Sequence, residues 1–166
     1  MVDQQEQQAG VAVRRSIAVD APRDRAFAVF TDGMTSWWPL DSYSIGSAPM
    51  AAAVIEPRAG GRWYERGEDG SESEWGRVLA WDAPDRVLLA WQISPDWQYD
   101  PGLHTEIDVR FSTEADGRTR VDLEHRGLEA FGDRAEQMRT VFDADGGWRG
   151  LLERFAAAAE AGARRA

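Results

Sequence analysis

Few side chains in this 166-residue chain have a type and a setting suited to chemistry near neutral pH. His125 stands between Glu124 and Arg126 in a strand-patterned segment, and imidazole is the side chain best matched to proton transfer at that pH. No acid or nucleophile accompanies it at a fixed spacing, so the competing reading is a satisfied histidine packed under a covering helix. His104 and His125 do not form a metal-ligand spacing. Arg77 is suited to hold a ligand carboxylate or phenolate by charge-assisted bonds. It is equally suited to stack on an aromatic ring or to pair with Glu56 or Glu65. Asp143 and Asp145, in Phe-Asp-Ala-Asp-Gly-Gly, share only a fragment of a calcium-loop pattern and read as caps for the final helix. The serines lack a G-x-S-x-G setting, and no G-x-G-x-x-G follows a strand. The sequence therefore assigns no catalytic residue, metal or cofactor, and it favours binding over turnover.

Composition narrows the field further. With no Cys, disulfide frameworks, thiolate zinc sites, iron–sulfur clusters and cysteine nucleophiles are excluded. The 19 basic residues are all Arg, against 29 acidic ones, giving a net charge of -10. Such a field repels nucleic acid and anionic membrane, and the lack of Lys removes Schiff-base and P-loop lysine chemistry. The polar opening MVDQQEQQAG resembles neither a secretory signal nor a transit peptide, and no apolar run is long enough to span a bilayer. A cytoplasmic protein is expected, as monomer or homodimer. Length and the lack of repeats or linkers predict a single domain over residues 11–162, with tails at 1–10 and 163–166.

The elements that must position these residues follow from periodicity and turn signals. Val11, Val13, Ile17 and Val19 mark a first strand, and Asp20 and Pro22 signal a helix bearing Ala26, Phe27 and Phe30. That helix ends near Asp32-Gly33. A short turn closes at Trp37-Trp38-Pro39, which serves either as a lid over a cavity mouth or as a plug between helix and sheet. From Ala52 to Arg126, strands alternate with the turn signals Gly60-Gly61, Asp69-Gly70, Ala83-Pro84-Asp85, Pro101-Gly102 and Asp116-Gly117, which is a meander. A short helix after Gly127, capped by Asp133, presents Ala135, Met138 and Phe142 on one face. Trp148, Leu151, Leu152, Phe155 and Ala159 then form the apolar stripe of a long C-terminal helix that stops at Gly162.

Turn lengths decide which side chains share a face. A two-residue turn at Asp69-Gly70 sets Tyr64 opposite Trp75 and Arg62 opposite Arg77. The next hairpin sets Trp81 against Val87, Leu79 against Leu89 and Arg77 against Trp91. One face then carries Tyr64, Trp75, Arg77, Leu79, Trp81, Val87, Leu89, Trp91 and Ile93. A three-residue loop at Ala115-Asp116-Gly117 pairs Phe111 with Val121, Val109 with Leu123 and Ile107 with His125. The reverse side holds Arg110 against Asp122, Glu106 against Arg126 and the unfavourable pair Asp108 and Glu124, and it reads as solvated. A sheet apolar on one side needs one cover, and the C-terminal helix supplies it. The gap between a curved sheet and a straight helix is a site for a small molecule. Its expected lining is Trp38, Tyr64, Trp75, Arg77, Trp91, His125, Phe142 and Trp148. If the tryptophans all point inward, their bulk closes the gap instead.

The segments AFAVFTDGMTSWWP, VIEPRAGGRWYERGEDGSESEWGRVLAWDAPDRVLLAWQI, TEIDVRFS, TRVDLEHRGLE and GWRGLLERF, in this order, resemble the START-like, helix-grip SRPBCC superfamily. Within it they are similar to the homologues of the activator of heat-shock-protein-ninety ATPase. The resemblance spans residues 12–160. It implies an α+β, β-α-α-β6-α architecture with a hydrophobic cavity between the curved antiparallel sheet and the long C-terminal helix. It also implies three functional classes: lipid and hormone binders, polyketide cyclases and aromatases, and heat-shock co-chaperones. The first reading is a binder of an apolar or aromatic small molecule. The second is a cyclase-like or aromatase-like enzyme using His125 or Arg77, with Glu56 and Tyr64 as further polar groups. The third is a chaperone partner that meets a basic patch with its acidic surface.

Overall fold

The computed structural model describes residues 11–40 and 44–165, the last four as backbone only. The chain opens with β1 (Val13–Val19), α1 (Arg23–Thr31) and a 3-10 turn (Met34–Ser36). Six strands come next: β2 (Met50–Ile55), β3 (Arg62–Gly67), β4 (Glu72–Asp82), β5 (Arg86–Trp91), β6 (Thr105–Thr113) and β7 (Thr119–Arg126). A 3-10 segment (Leu128–Arg134), α2 (Ala135–Asp143), a wide turn (Asp145–Arg149) and α3 (Gly150–Arg165) complete the described chain. The strands form one antiparallel sheet in the order β1-β7-β6-β5-β4-β3-β2, curled into a half-barrel around α3. This is the expected α+β helix-grip fold, with one 3-10 turn in place of a full second helix. The predicted tail at 1–10 lies outside the described residues, and α3 runs on past Gly162 to Arg165 rather than stopping there. Among the described residues, no helix is long and apolar enough to cross a membrane.

Strict alternation fixes β6 and β7. Ile107, Val109 and Phe111 are buried opposite His125, Leu123 and Val121, in the predicted register. The loop at 115–117 closes as expected, with Gly117 at φ 86° and the Glu114 N–H donating to the Arg118 carbonyl at 2.7 Å. The α3 stripe is likewise buried, and Phe155 packs edge-on against Phe30 at 5.3 Å.

The β3–β4 and β4–β5 pairings depart from expectation for one physical reason: β4 carries two bulges. The turn at Asp69-Gly70 is a three-residue loop, 68–70, with Gly70 at φ 85° and the Gly67 N–H donating to the Ser71 carbonyl. Tyr64 therefore faces Glu74 rather than Trp75, and a bulge at Trp75 restores the expected Arg62–Arg77 pairing. A second irregularity, at Leu79, sets Val78 against Leu89 and Arg77 against Ala90 rather than Trp91. Each extra residue turns the strand by half a pleat. Trp75, Val78 and Trp81 thus face inward at three-residue spacing, while Arg77 and Leu79 are exposed on the outer side.

The outer face of β5–β7 is not simply solvated. Asp108 is only 4% exposed and receives Arg86 through two bonds of 2.9 and 3.1 Å, with Arg126 at 3.0 Å. Burial pushes its carboxyl up, but these hydrogen bonds prevail and hold it below the ordinary carboxylate range. Arg126 also reaches Glu124 at 3.2 Å, which relieves the like-charge pair. The helix caps differ as well. Arg134, not Asp133, precedes α2, and no side chain caps it. Asp143 bonds Arg15 of β1, and Asp145 bonds Arg149.

Gly76 sits where β4 crosses closest to β5: a Cβ there would lie 1.7 Å from the Ala90 carbonyl oxygen. The Gly76→Ala variant is expected to lose about 3 kcal/mol of stability, the upper part of the range for overpacking. Urea denaturation measures this, and an unchanged midpoint would contradict the close approach.

Candidate functional site

The gap between sheet and α3 is occupied by indole rings delivered from separate elements. Trp63 comes from β3, Trp75 from the β4 bulge, Trp91 from the end of β5, Trp38 from the segment after the 3-10 turn, and Trp148 from the wide turn before α3. They stack as a chain of tilted and edge contacts: Trp38–Trp75 at 5.0 Å, Trp75–Trp63 at 5.4 Å, Trp63–Trp91 at 5.6 Å and Trp91–Phe142 at 5.5 Å. Buried indoles need acceptors for their N–H groups. Trp37 donates to the Val29 carbonyl, Trp63 to the Met34 sulfur, Trp75 to Glu65 and Trp148 to His125. Trp91 is the exception: its Nε1–H is buried and has no partner among the described residues.

His125 is fully buried and doubly bonded. Its Nδ1 lies 3.1 Å from Trp148 Nε1 and its Nε2 lies 3.0 Å from Thr105 Oγ1. An indole N–H can only donate, so Nδ1 is the acceptor and the ring proton sits on Nε2. The Thr105 hydroxyl in turn donates to the Trp91 carbonyl at 2.9 Å. Burial pushes the imidazole pKa down to about 3, so the ring is neutral at physiological pH. Of the two readings open in the sequence, this geometry matches the satisfied histidine. Phe142 covers the ring at 4.4 Å.

Glu65 plays the corresponding part on the other flank. One oxygen accepts the Trp75 indole N–H at 2.9 Å and the Ile45 N–H at 2.7 Å; the other accepts from the Ser44 hydroxyl and the Gly46 N–H. It is 1% exposed, yet its acceptor sites are occupied by donors that anchor the segment at 44–46 and orient Trp75 beneath Trp38.

What remains open is a pocket lined by Trp38, Trp91, Trp97, Val141, Phe142, Gly147, Trp148 and Leu151. Its empty volume is about 330 Å³ including the mouth, but only about 20 Å³ admits the centre of a water-sized molecule, close to what one water requires. Trp97 and Val141, each 36% exposed, form the rim. Trp97 has φ 61°, a conformation uncommon for a bulky residue. Among the described residues, none of the lining side chains is charged. Among the described residues, no cluster of acidic or histidine side chains has the arrangement to hold a metal ion.

Trp38, Trp91, Phe142 and Trp148 of the predicted set thus meet in the pocket, with Trp75 and His125 directly behind them. Tyr64 and Arg77 do not join them. Tyr64 lies on the outer face, with the Arg62 guanidinium 4.0 Å above its ring and Arg66 bonded to its hydroxyl. Arg77 is on that same outer face, turned there by the two bulges. Sequence reasoning missed Trp97, Val141, Gly147, Leu151 and Glu65. The Leu151 signal lay in the α3 stripe, whereas Trp97 stands in a loop without periodicity.

Residues 20–160 match the family model described as activator of Hsp90 ATPase homolog 1-like protein. The chain belongs to this family. Its fold and solved relatives place this AHSA1-type domain in the SRPBCC superfamily. Among solved structures it is similar to the anthrahydroquino-γ-pyrone synthase Txn09, solved as a complex, with 38% identity and a TM-score of 0.62 over 88% of this chain and 95% of that one. It is also similar to CalC, a self-sacrificing resistance protein from Micromonospora echinospora, at 31% identity and a TM-score of 0.69 over 93% and 97%. Protein Ms6760 from Mycobacterium smegmatis, 19% identical with a TM-score of 0.60 over 91% and 89%, shares the fold. No curated protein matches significantly.

The buried polar groups of this AHSA1-type domain make its stability sensitive to pH and to single substitutions. The folded His125 pKa, about 3, lies below the ordinary value of 6.5, so the unfolded chain takes up a proton that the folded one refuses. Its contribution is complete above about pH 6.5 and falls as pH drops toward 3, by up to about tenfold in the folding equilibrium per pH unit. Urea midpoints measured from pH 7 to 5 are expected to decline in the wild type and to stay nearly flat in His125→Asn. Glu65→Leu leaves the Trp75 N–H and the donors at 44–46 unpaired. It is expected to cost about 3 kcal/mol, read by thermal unfolding, together with loss of hydrogen-exchange protection at the Ile45 amide.

Proposed function

We propose that this AHSA1-type domain binds a flat aromatic small molecule of the polyketide type, inserted between the sheet and α3 past Trp97 and Val141. The observation that carries this reading is the pocket itself: aromatic rings on several sides, no charged lining group among the described residues, and an apolar rim exposed to solvent. A pocket lined by rings from five separate segments matches planar guests, which gain offset and edge contacts on each side. One relative above 30% identity supports the same class of guest, since it is by name an anthrahydroquino-γ-pyrone synthase.

A second reading, turnover of such a compound by a cyclase-like reaction, is favoured by the 38% identity to the synthase. In that case His125 acts as a positioning residue rather than as a general base, because its Nδ1 is occupied by Trp148 and its proton faces Thr105.

Native mass spectrometry of the purified protein, followed by calorimetric titration with flavonoids, anthraquinones and fatty acids, tests the binding reading. Saturable binding of flat aromatics is expected, with fatty acids at least about tenfold weaker, since a flexible chain loses rotamer freedom on binding that a rigid ring system does not. Trp97→Ala is expected to weaken binding and Arg77→Ala to leave it unchanged. Equal binding of fatty acids, or no binding across the panel, would overturn the proposal.

A further inference from the structure

The Trp91 N–H stands apart from the other buried indole donors. Trp37, Trp63, Trp75 and Trp148 each find a carbonyl, a sulfur, a carboxylate or an imidazole nitrogen. Trp91 is 4% exposed and lines the pocket, yet among the described residues nothing accepts its Nε1–H. A buried donor left unmade is costly, and structures retain one chiefly where a guest or a water completes it. The room available, about 20 Å³ for the centre of a water-sized molecule, matches a single oxygen atom rather than a ring. The rest of a ring system would need the space that Trp97 and Val141 give up at the rim on entry.

The charge of that oxygen is also constrained. An indole N–H donates and cannot accept, so it selects an acceptor on the ligand. Among the described residues no arginine lines the pocket, His125 is neutral and donates only to Thr105, and the chain as a whole carries a net charge of -10. A carboxylate entering there would lose its hydration without a counter-charge, whereas a ketone, quinone or pyrone carbonyl would not. Resting on the pocket being a binding site, we propose that Trp91 is its specificity-determining residue, donating Nε1–H to an uncharged carbonyl on an aromatic ring system.

Xanthone and xanthene separate the two levels of this claim, because they share a three-ring skeleton and differ by a carbonyl in place of a methylene. Calorimetry on the full chain is expected to show xanthone binding roughly tenfold more tightly than xanthene, with xanthene-9-carboxylate weaker than either. Trp91→Phe keeps an aromatic ring but removes the donor, and it is expected to abolish the preference. Should that variant not fold, the wild type suffices: in a spectrum of ¹⁵N-indole-labelled protein, the Trp91 Nε1–H resonance is expected to move downfield with xanthone and not with xanthene. Equal affinity for xanthone and xanthene, an unmoved Trp91 resonance with xanthone bound, or tighter binding of the carboxylate would overturn the role of Trp91 and leave the pocket intact. Binding of none of these compounds would overturn the pocket reading and the inference together.

Discussion

An indole ring brought into a protein interior carries an N–H that must find an acceptor, and the middle of this protein is arranged around that requirement. Aromatic bulk suits the wedge-shaped gap between a curled sheet and a straight helix better than aliphatic side chains do. The polar residues of the interior answer to that choice. Glu65, a carboxyl group placed at 1% exposure, is there to take the Trp75 N–H and three donors of the neighbouring segment. His125 takes the Trp148 N–H and directs its own proton to Thr105, which closes on the Trp91 carbonyl. These two acceptors tie α3's entry, β6 and β5 on one side and β3, β4 and the 44–46 segment on the other, so the walls of the pocket are held by polar bonds as well as by packing.

The parts of this arrangement that obey simple periods are legible in the sequence. The β6–β7 register is set by a glycine at the left-handed position of its loop and by unbroken alternation, and the α3 stripe by its 3.6-residue spacing. The two bulges in β4 are not legible, because an extra residue leaves no mark on composition and inverts the face of the residues beyond it. That single cause moves Arg77 and Leu79 outward and brings Val78 inward. A carboxylate beside Trp63 reads as solvent-facing unless its acceptors are known to be needed, and so periodicity alone gives Glu65 the wrong environment. Trp97 depends on a loop with φ 61°, which no periodic argument anticipates.

The two faces of the sheet use charge in opposite ways. Outside, Asp108 is surrounded by arginines from β5, β6 and β7, and the strands are laced by ion pairs with partly exposed partners. Pairs of that kind contribute modestly one at a time and more as a network. Inside, the ionisable groups His125 and Glu65 are each saturated with hydrogen bonds and withdrawn from the pocket surface. Among the described residues, the pocket lining offers neither a base nor a cation. Under the proposed binding reading, selectivity would come from shape and from dipolar hydrogen bonds rather than from charge pairing.

The same bonding pattern locates where the pocket yields. Gly147 lies against the backbone of Phe142, so close that a Cβ there would stand 2.3 Å from the Phe142 carbonyl, and Trp148 beside it is fixed by His125. Arg15 of β1 holds the end of α2 through Asp143. The joint between α2 and α3 is therefore pinned at both ends. The Trp97 loop is joined to the segment leading into α2 by Arg134, which pairs with Asp96 at 2.8 Å and reaches the Pro95 carbonyl at 3.5 Å, and it is closed on itself by backbone bonds from Ser94 to Gln98 and from Trp97 to Ser94. Under the proposed binding reading, a flat molecule would enter at the rim, where Trp97 and Val141 are each 36% exposed. Opening at the α2–α3 joint instead would break the buried Trp148–His125 bond.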